Sequence, residues 1–172
     1  MNQLELIQAD PASHIYAVID AMIPYGVEAP LDDEGEIDEE AFAGLILTAA
    51  NDILDAMEGD YLRVYRAIVV QPDWEPESLG VHWARRAAKA VAYNGRGSGT
   101  TIILEGLVHV DQVRLYPSIV LNMDLTEEEI LLSDDAEIEI LSAHTTDGQP
   151  SHVHLQDRRF HARFSPGAHF LS

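Results

Sequence analysis

The chain has 172 residues, 47% of them hydrophobic, no cysteine, and 30 acidic against 10 basic residues, for a net charge of −20. That length suits one domain with room for an appendage, and the missing cysteines exclude disulfides, thiolate nucleophiles and cysteine-ligated zinc. The acidity disfavours ordinary nucleic-acid binding; no apolar run reaches the about 18 residues of a membrane span, and no basic-then-apolar leader is read at the N-terminus, so a cytoplasmic location is expected.

In chain order, Ser13 is read as the N-cap of a helix to Ile23, with Ile15, Val18, Ile19 and Met22 at helical spacing and Pro24 and Gly26 stopping it. "VEAPLDDEGEIDEE" reads as an exposed acidic loop. Asp38 is then expected to cap a second helix through Met57, with Phe42, Leu45, Ile46, Ala49, Ile53 and Leu54 on one face. The character changes at Tyr61, where "YLRVYRAIVV" is rich in β-branched and aromatic residues and reads as a strand. "QPDWEPESLG" is a loop, "HWARRAAKAVAY" a helix, "NGRGSG" a turn, and "TTIILEGLVHV" a strand region. "VRLYPSIVLNM" reads as partly extended, interrupted by Pro117.

"LTEEEILL" (125–132) has two readings. Thr126 and Glu129 have the spacing of a capping box. A helix from Glu127 would, however, end after six residues at Ser133-Asp134-Asp135, well short of the mean of about eleven or twelve. In "AEIEIL", Ala136, Ile138 and Ile140 alternate with Glu137 and Glu139, the period of a half-buried strand. A β-hairpin over the two segments is expected, with Glu127 and Glu129 on one face and Glu128 on the other. In the tail, His152 and His154 would share a strand face, but no third ligand stands at a metal-binding spacing, so no metal site is expected.

The series Arg66 in "VYRAI", His82-Trp83 in "LGVHWA" and Glu127-x-Glu129 in "EEEILL" resembles, in order and spacing, the catalytic core of the mono-ADP-ribosyltransferase superfamily. The closest likeness is to its arginine–serine–glutamate branch. Two departures stand in the motifs: "VHWA" has no serine or threonine, and Ala67 stands where glycine often follows the arginine. The resemblance implies an α+β fold with a core of two small packed β-sheets and flanking helices. It implies NAD as ADP-ribose donor, with Glu129 as the catalytic carboxylate, Glu127 as the upstream member of its pair, and Arg66, Ala67, His82 and Trp83 lining the donor site. It also implies a macromolecular acceptor, an arginine-bearing protein target. The expected organisation is an acidic helical segment over 1–60, the core over 61–141 and an extension over 142–172.

The residue types suit that chemistry. A carboxylate stabilises the oxocarbenium-like charge that develops when the nicotinamide–ribose bond breaks. Arginine grips a pyrophosphate with a bidentate fork, and a second carboxylate orients or deprotonates an acceptor. The alternative is a non-catalytic acidic binding protein or inhibitor that occupies a basic partner surface, including a degenerate form of the same fold. Its basis is charge segregation: residues 1–60 hold fifteen acidic residues and no lysine or arginine.

Overall fold

The computed structural model describes residues 1–70, 79–94, 100–123, 127–151 and 158–162. The readings of most of the "QPDWEPESLG" loop and the "NGRGSG" turn, of Thr126, and of His152 and His154 fall outside those residues. Among the described residues, five α-helices, Gln3–Ala9 (α1), Ile15–Met22 (α2), Glu39–Leu54 (α3), Ala87–Asn94 (α4) and Leu115–Leu121 (α5), accompany seven strands. The strands are Met57–Glu58 (β1), Tyr61–Val70 (β2), His82–Ala84 (β3), Thr100–His109 (β4), Glu129–Leu131 (β5), Glu137–Thr145 (β6) and Arg159–His161 (β7). The fold is α+β.

Instead of the expected two packed sheets, the described strands form one antiparallel sheet in the order β5-β3-β2-β4-β6-β7, with β1 beside β2. The sheet curls. Three strands separate β3 from β7, yet the N–H of Leu79, just before β3, donates to His161 of β7 at 3.1 Å. A flat sheet would keep these about 15–20 Å apart at the usual strand spacing. The β4–β6 register shifts between Glu105 and Gly106, where Leu141 of β6 is the extra residue of a bulge. A Cβ at Gly106 would come within 2.7 Å of Ile138, so glycine allows β4 and β6 to approach.

One face of the sheet carries the core. Leu62, Val64, Arg66, Ile68 and Val70 alternate inward along β2, and Ile102, Leu104 and Val108 do so along β4. The apolar ones share a continuous cluster with Leu4 and Ile7 of α1, Val18 and Met22 of α2, Phe42, Ile46, Ala49 and Ile53 of α3, and Ile119 and Val120 of α5. The acidic first sixty residues are therefore built into the same core as the sheet. On the opposite face α4 packs over Ala67 and Ala84 through Ala90. The boundary expected at 141 falls inside β6, and Phe160 and Ala162 are buried in the main cluster.

Asp38 caps α3 through a 3.0 Å bond from the Ala41 N–H, as the sequence suggests, but Leu45 is 36% exposed and Ala50 takes the inward position. The chain bends into β1 at Met57, so α3 ends at Leu54. Ser13 does not cap α2; its hydroxyl bonds Asp10 within a preceding 3₁₀ turn. An additional helix, α1, is capped by Asn2 through a 2.8 Å bond from Glu5 N–H.

Three expectations are corrected. "VRLYPSIVL" is helical at its end: Pro117 is the third residue of α5, in the first turn, where the backbone N–H needs no helical partner. "HWA" is a strand, with Trp83 in the main core and Ala84 in the small cluster under α4, the period of two that a helix cannot supply. β5 and β6 are both strands, but not a hairpin: β5 pairs with β3 and β6 with β4, leaving three strands between them. Alternation sets which face is buried, not which strand is the neighbour.

Candidate functional site

β2, β3 and β5 are consecutive neighbours in the sheet, and they bring together Arg66, His82 and Glu129 from three distant parts of the chain. Tyr65 pairs with Ala84, and Ala84 with Glu129, so one row of residues crosses the three strands. Arg66 is 4% exposed, and its Nη1 donates to the main-chain carbonyl of His82. The His82 imidazole then meets Glu129, Nδ1 to Oε1, at 3.1 Å. These two side chains keep contact with solvent, 34% exposed for His82 and 15% for Glu129.

Gly80 makes room for the arginine. It has φ +86, and a Cβ there would stand 3.3 Å from both Cζ and Nη2 of Arg66. The carbonyl of Gly80 also accepts the indole N–H of Trp83 at 3.0 Å. Trp83 is 1% exposed and Ala67 fully buried. Both belong to the packing beneath the site, not to a ligand-facing wall.

The electrostatics tie the same groups together. Burial pushes the Arg66 guanidinium down to about 10, and the negative charge of Glu129 pulls it back upward. Tyr25, from the acidic N-terminal segment, has its phenol raised, first by burial and then by Glu129, with Arg114 opposing. Tyr25 thus lies within electrostatic range of the carboxylate, which the sequence did not indicate.

Two polar side chains, Ser118 of α5 and its C-cap Asn122, hold the outer edge of β5. The Ser118 hydroxyl accepts the Leu131 N–H at 3.0 Å, and the Asn122 amide donates to the Glu129 carbonyl at 2.9 Å. Ser118 is fully buried and Asn122 is 9% exposed. Edge N–H and C=O groups need partners when covered, and these residues, one helical turn apart, supply them. Their signal in the sequence was a pair of polar residues four apart in an otherwise apolar run, which the extended reading of this segment hid.

Glu127 departs from expectation. β5 starts at Glu129, the Glu127 N–H donates to the Leu121 carbonyl at 2.8 Å, and Glu128 between them has φ +55. Strand alternation therefore does not put Glu127 and Glu129 on one face. Glu128 is turned onto Arg85 and Arg86, at 3.4 and 2.7 Å.

Chemically, the arrangement presents a carboxylate with a fixed backbone, an imidazole in hydrogen-bond contact and a buried cation behind. Such a group can stabilise positive charge developing beside it. Among the described residues, no group of three or more histidine, aspartate or glutamate side chains is placed to hold a metal ion, and no helix is long and apolar enough to cross a membrane. No family model, curated protein or solved structure matches the chain.

Proposed function

We propose that the protein is an NAD-dependent ADP-ribosyltransferase that modifies an arginine-bearing protein target. The observation that carries this reading is the line Arg66–His82–Glu129 across three adjacent strands. In this reading Glu129 stabilises the oxocarbenium-like ribose and accepts from its 2′-hydroxyl. The nicotinamide–ribose bond breaks, and nicotinamide leaves with the bonding pair. A nitrogen lone pair of the acceptor forms the new bond to the ribose carbon, and the acceptor proton passes to a carboxylate.

The donor fits the exposed pair better than it fits the arginine. Glu129 and His82 offer an acceptor and a ring nitrogen at the surface, the chemistry that ribose hydroxyls require. Arg66 faces inward onto the His82 carbonyl, so its role here is to hold β3 and the field around Glu129, in place of the pyrophosphate grip.

The test is incubation of purified protein with labelled NAD and a cell lysate, wild type against Glu129→Ala. Labelling of a lysate protein by the wild type alone supports the proposal. No labelling with any lysate removes it, and equal labelling by both proteins removes the role of Glu129. A second reading, capture of a basic protein surface by the acidic segment, is favoured by the fifteen acidic residues and absence of lysine and arginine over 1–60. It predicts binding that weakens steeply with salt.

A further inference from the structure

We infer that Glu128, gripped by Arg85 and Arg86, is the positioning residue that sets the Glu129 carboxylate against His82. Its catalytic consequence rests on the reading of Glu129 given above.

Among the described residues, Glu128 is the one non-glycine with positive φ, at +55. A long side chain in the left-handed region is disfavoured, because Cβ crowds the following carbonyl. Such a conformation persists only where the surroundings impose it, and it concentrates at functional sites. Here the surroundings are specific. Nε of Arg86 donates to Oε2 of Glu128 at 2.7 Å, Nη2 of Arg85 lies 3.4 Å from Oε1, and the Arg85 N–H donates to the Glu128 carbonyl at 2.7 Å. The Glu128 side chain is 19% exposed and Arg85 16%, so that pair is largely sheltered from water, while Arg86 at 58% closes the grip from the solvent side.

The grip passes directly to Glu129. Nε of Arg85 also donates to Oδ1 of Asn122 at 3.1 Å, and the Asn122 amide donates to the Glu129 carbonyl. Glu128, Arg85, Asn122 and Glu129 thus form a closed ring of contacts. Arg85 and Arg86 directly follow β3, whose Ala84 pairs with Glu129. The exit of β3 is therefore tied to the entry of β5 at the residue before the carboxylate. If residue 128 relaxed to an extended conformation, the chain would enter β5 along a different path and Glu129 would lose its aim at His82.

The test compares Glu128→Ala, which removes the grip, with Glu128→Gln, which keeps the length of the side chain and one acceptor oxygen but loses the charge and the second acceptor. One readout is the ¹⁵N resonance of the His82 imidazole, which reports its contact with a carboxylate and needs no turnover. The other is kcat and KM for NAD in the transfer assay. Glu128→Ala is expected to move the His82 resonance and to lower kcat about tenfold, with KM changed by less than about twofold, since a small misplacement acts on the transition state more than on donor binding. Glu128→Gln, able to accept from one arginine only, should fall between wild type and Glu128→Ala in both.

Should Glu128→Ala fail to fold, Arg86→Met serves, because that side chain is 58% exposed and makes the 2.7 Å contact. It should shift both readouts the same way. An unmoved His82 resonance, or an unchanged kcat, in a folded variant that lacks the grip overturns the inference. If the wild type transfers nothing while the resonance still moves, the activity reading fails and the positioning of Glu129 by Glu128 stands.

Discussion

Replacing Gly80 by alanine tests the architecture of the site at one atom. Two costs add. A residue with a Cβ at φ +86 sits in the left-handed region, at about 1–2 kcal/mol. The new methyl would also stand 3.3 Å from Cζ and Nη2 of Arg66, tighter than ordinary van der Waals contact. The guanidinium has little freedom to retreat, being 4% exposed and bonded to the His82 carbonyl. Overpacking of that kind costs about 1–3 kcal/mol. Together they suggest a loss of about 3 kcal/mol, which for a chain of this size lowers Tm by about 6–12 °C. Gly148 is an internal control: it has the same φ of +86, with nothing within 4 Å of its added Cβ. Gly148→Ala should therefore show the backbone cost alone. Urea denaturation of both variants, followed by circular dichroism, measures the difference. In an Arg66→Met background the excess cost at Gly80 should shrink, a coupling above about 0.5 kcal/mol. If Gly80→Ala costs no more than Gly148→Ala, the close packing of Arg66 on Gly80 is wrong.

Other outcomes follow from the same contacts. Trp83→Ala should cost about 3–5 kcal/mol, because the indole is 1% exposed in the core; a near-neutral result in thermal melts would show that the ring is a surface platform instead. Deleting residues 1–59 should leave a chain without cooperative unfolding, since α1, α2 and α3 supply core residues to the sheet; a sharp melting transition in the truncated chain would contradict the shared core. Tyr25 has a raised phenol pKa, so its stabilising contribution is complete below the ordinary value of about 10 and is lost as pH rises through the folded value. Arg66, lowered to about 10, acts with the opposite sign: the cost of burying its charge is complete below that value and is relieved above it. Tyr25→Phe should accordingly lose less stability than wild type between about pH 8 and pH 11 in denaturant titrations, and equal losses would show that the phenol is not raised in the folded protein.

The periodic segments were legible because burial leaves its period in the residues. β2 from Tyr61 to Val70 and the start of α3 after Asp38 could be read directly. The β5–β6 hairpin failed because alternation within a strand carries no information about its partner, and the curl of the sheet decides that. Pro117 was misread because its meaning depends on position: it breaks a helix interior and fits a first turn. At the site, the resemblance singled out Arg66, His82 and Glu129, which the fold does bring together. Gly80, Ser118, Asn122 and Tyr25 were not legible as members of it, since each takes its place through the tertiary fold and not through a local pattern. Glu127 and Glu128 show the limit of local pattern most clearly. Alternation grouped Glu127 with Glu129, and one left-handed residue between them removed the basis for it.

The central claim is that Glu129 is a catalytic carboxylate for transfer from NAD. The most direct measurement is the rate of nicotinamide release from NAD by the purified protein in the presence of an arginine-bearing acceptor, wild type against Glu129→Gln. That substitution keeps the shape of the side chain and removes its charge. The account predicts release by the wild type and a fall of about a hundredfold or more in the variant, the scale of losing one electrostatic stabiliser of a transition state, with both proteins folded by circular dichroism. Equal rates in two equally folded proteins, or no release by the wild type with any acceptor, would contradict it.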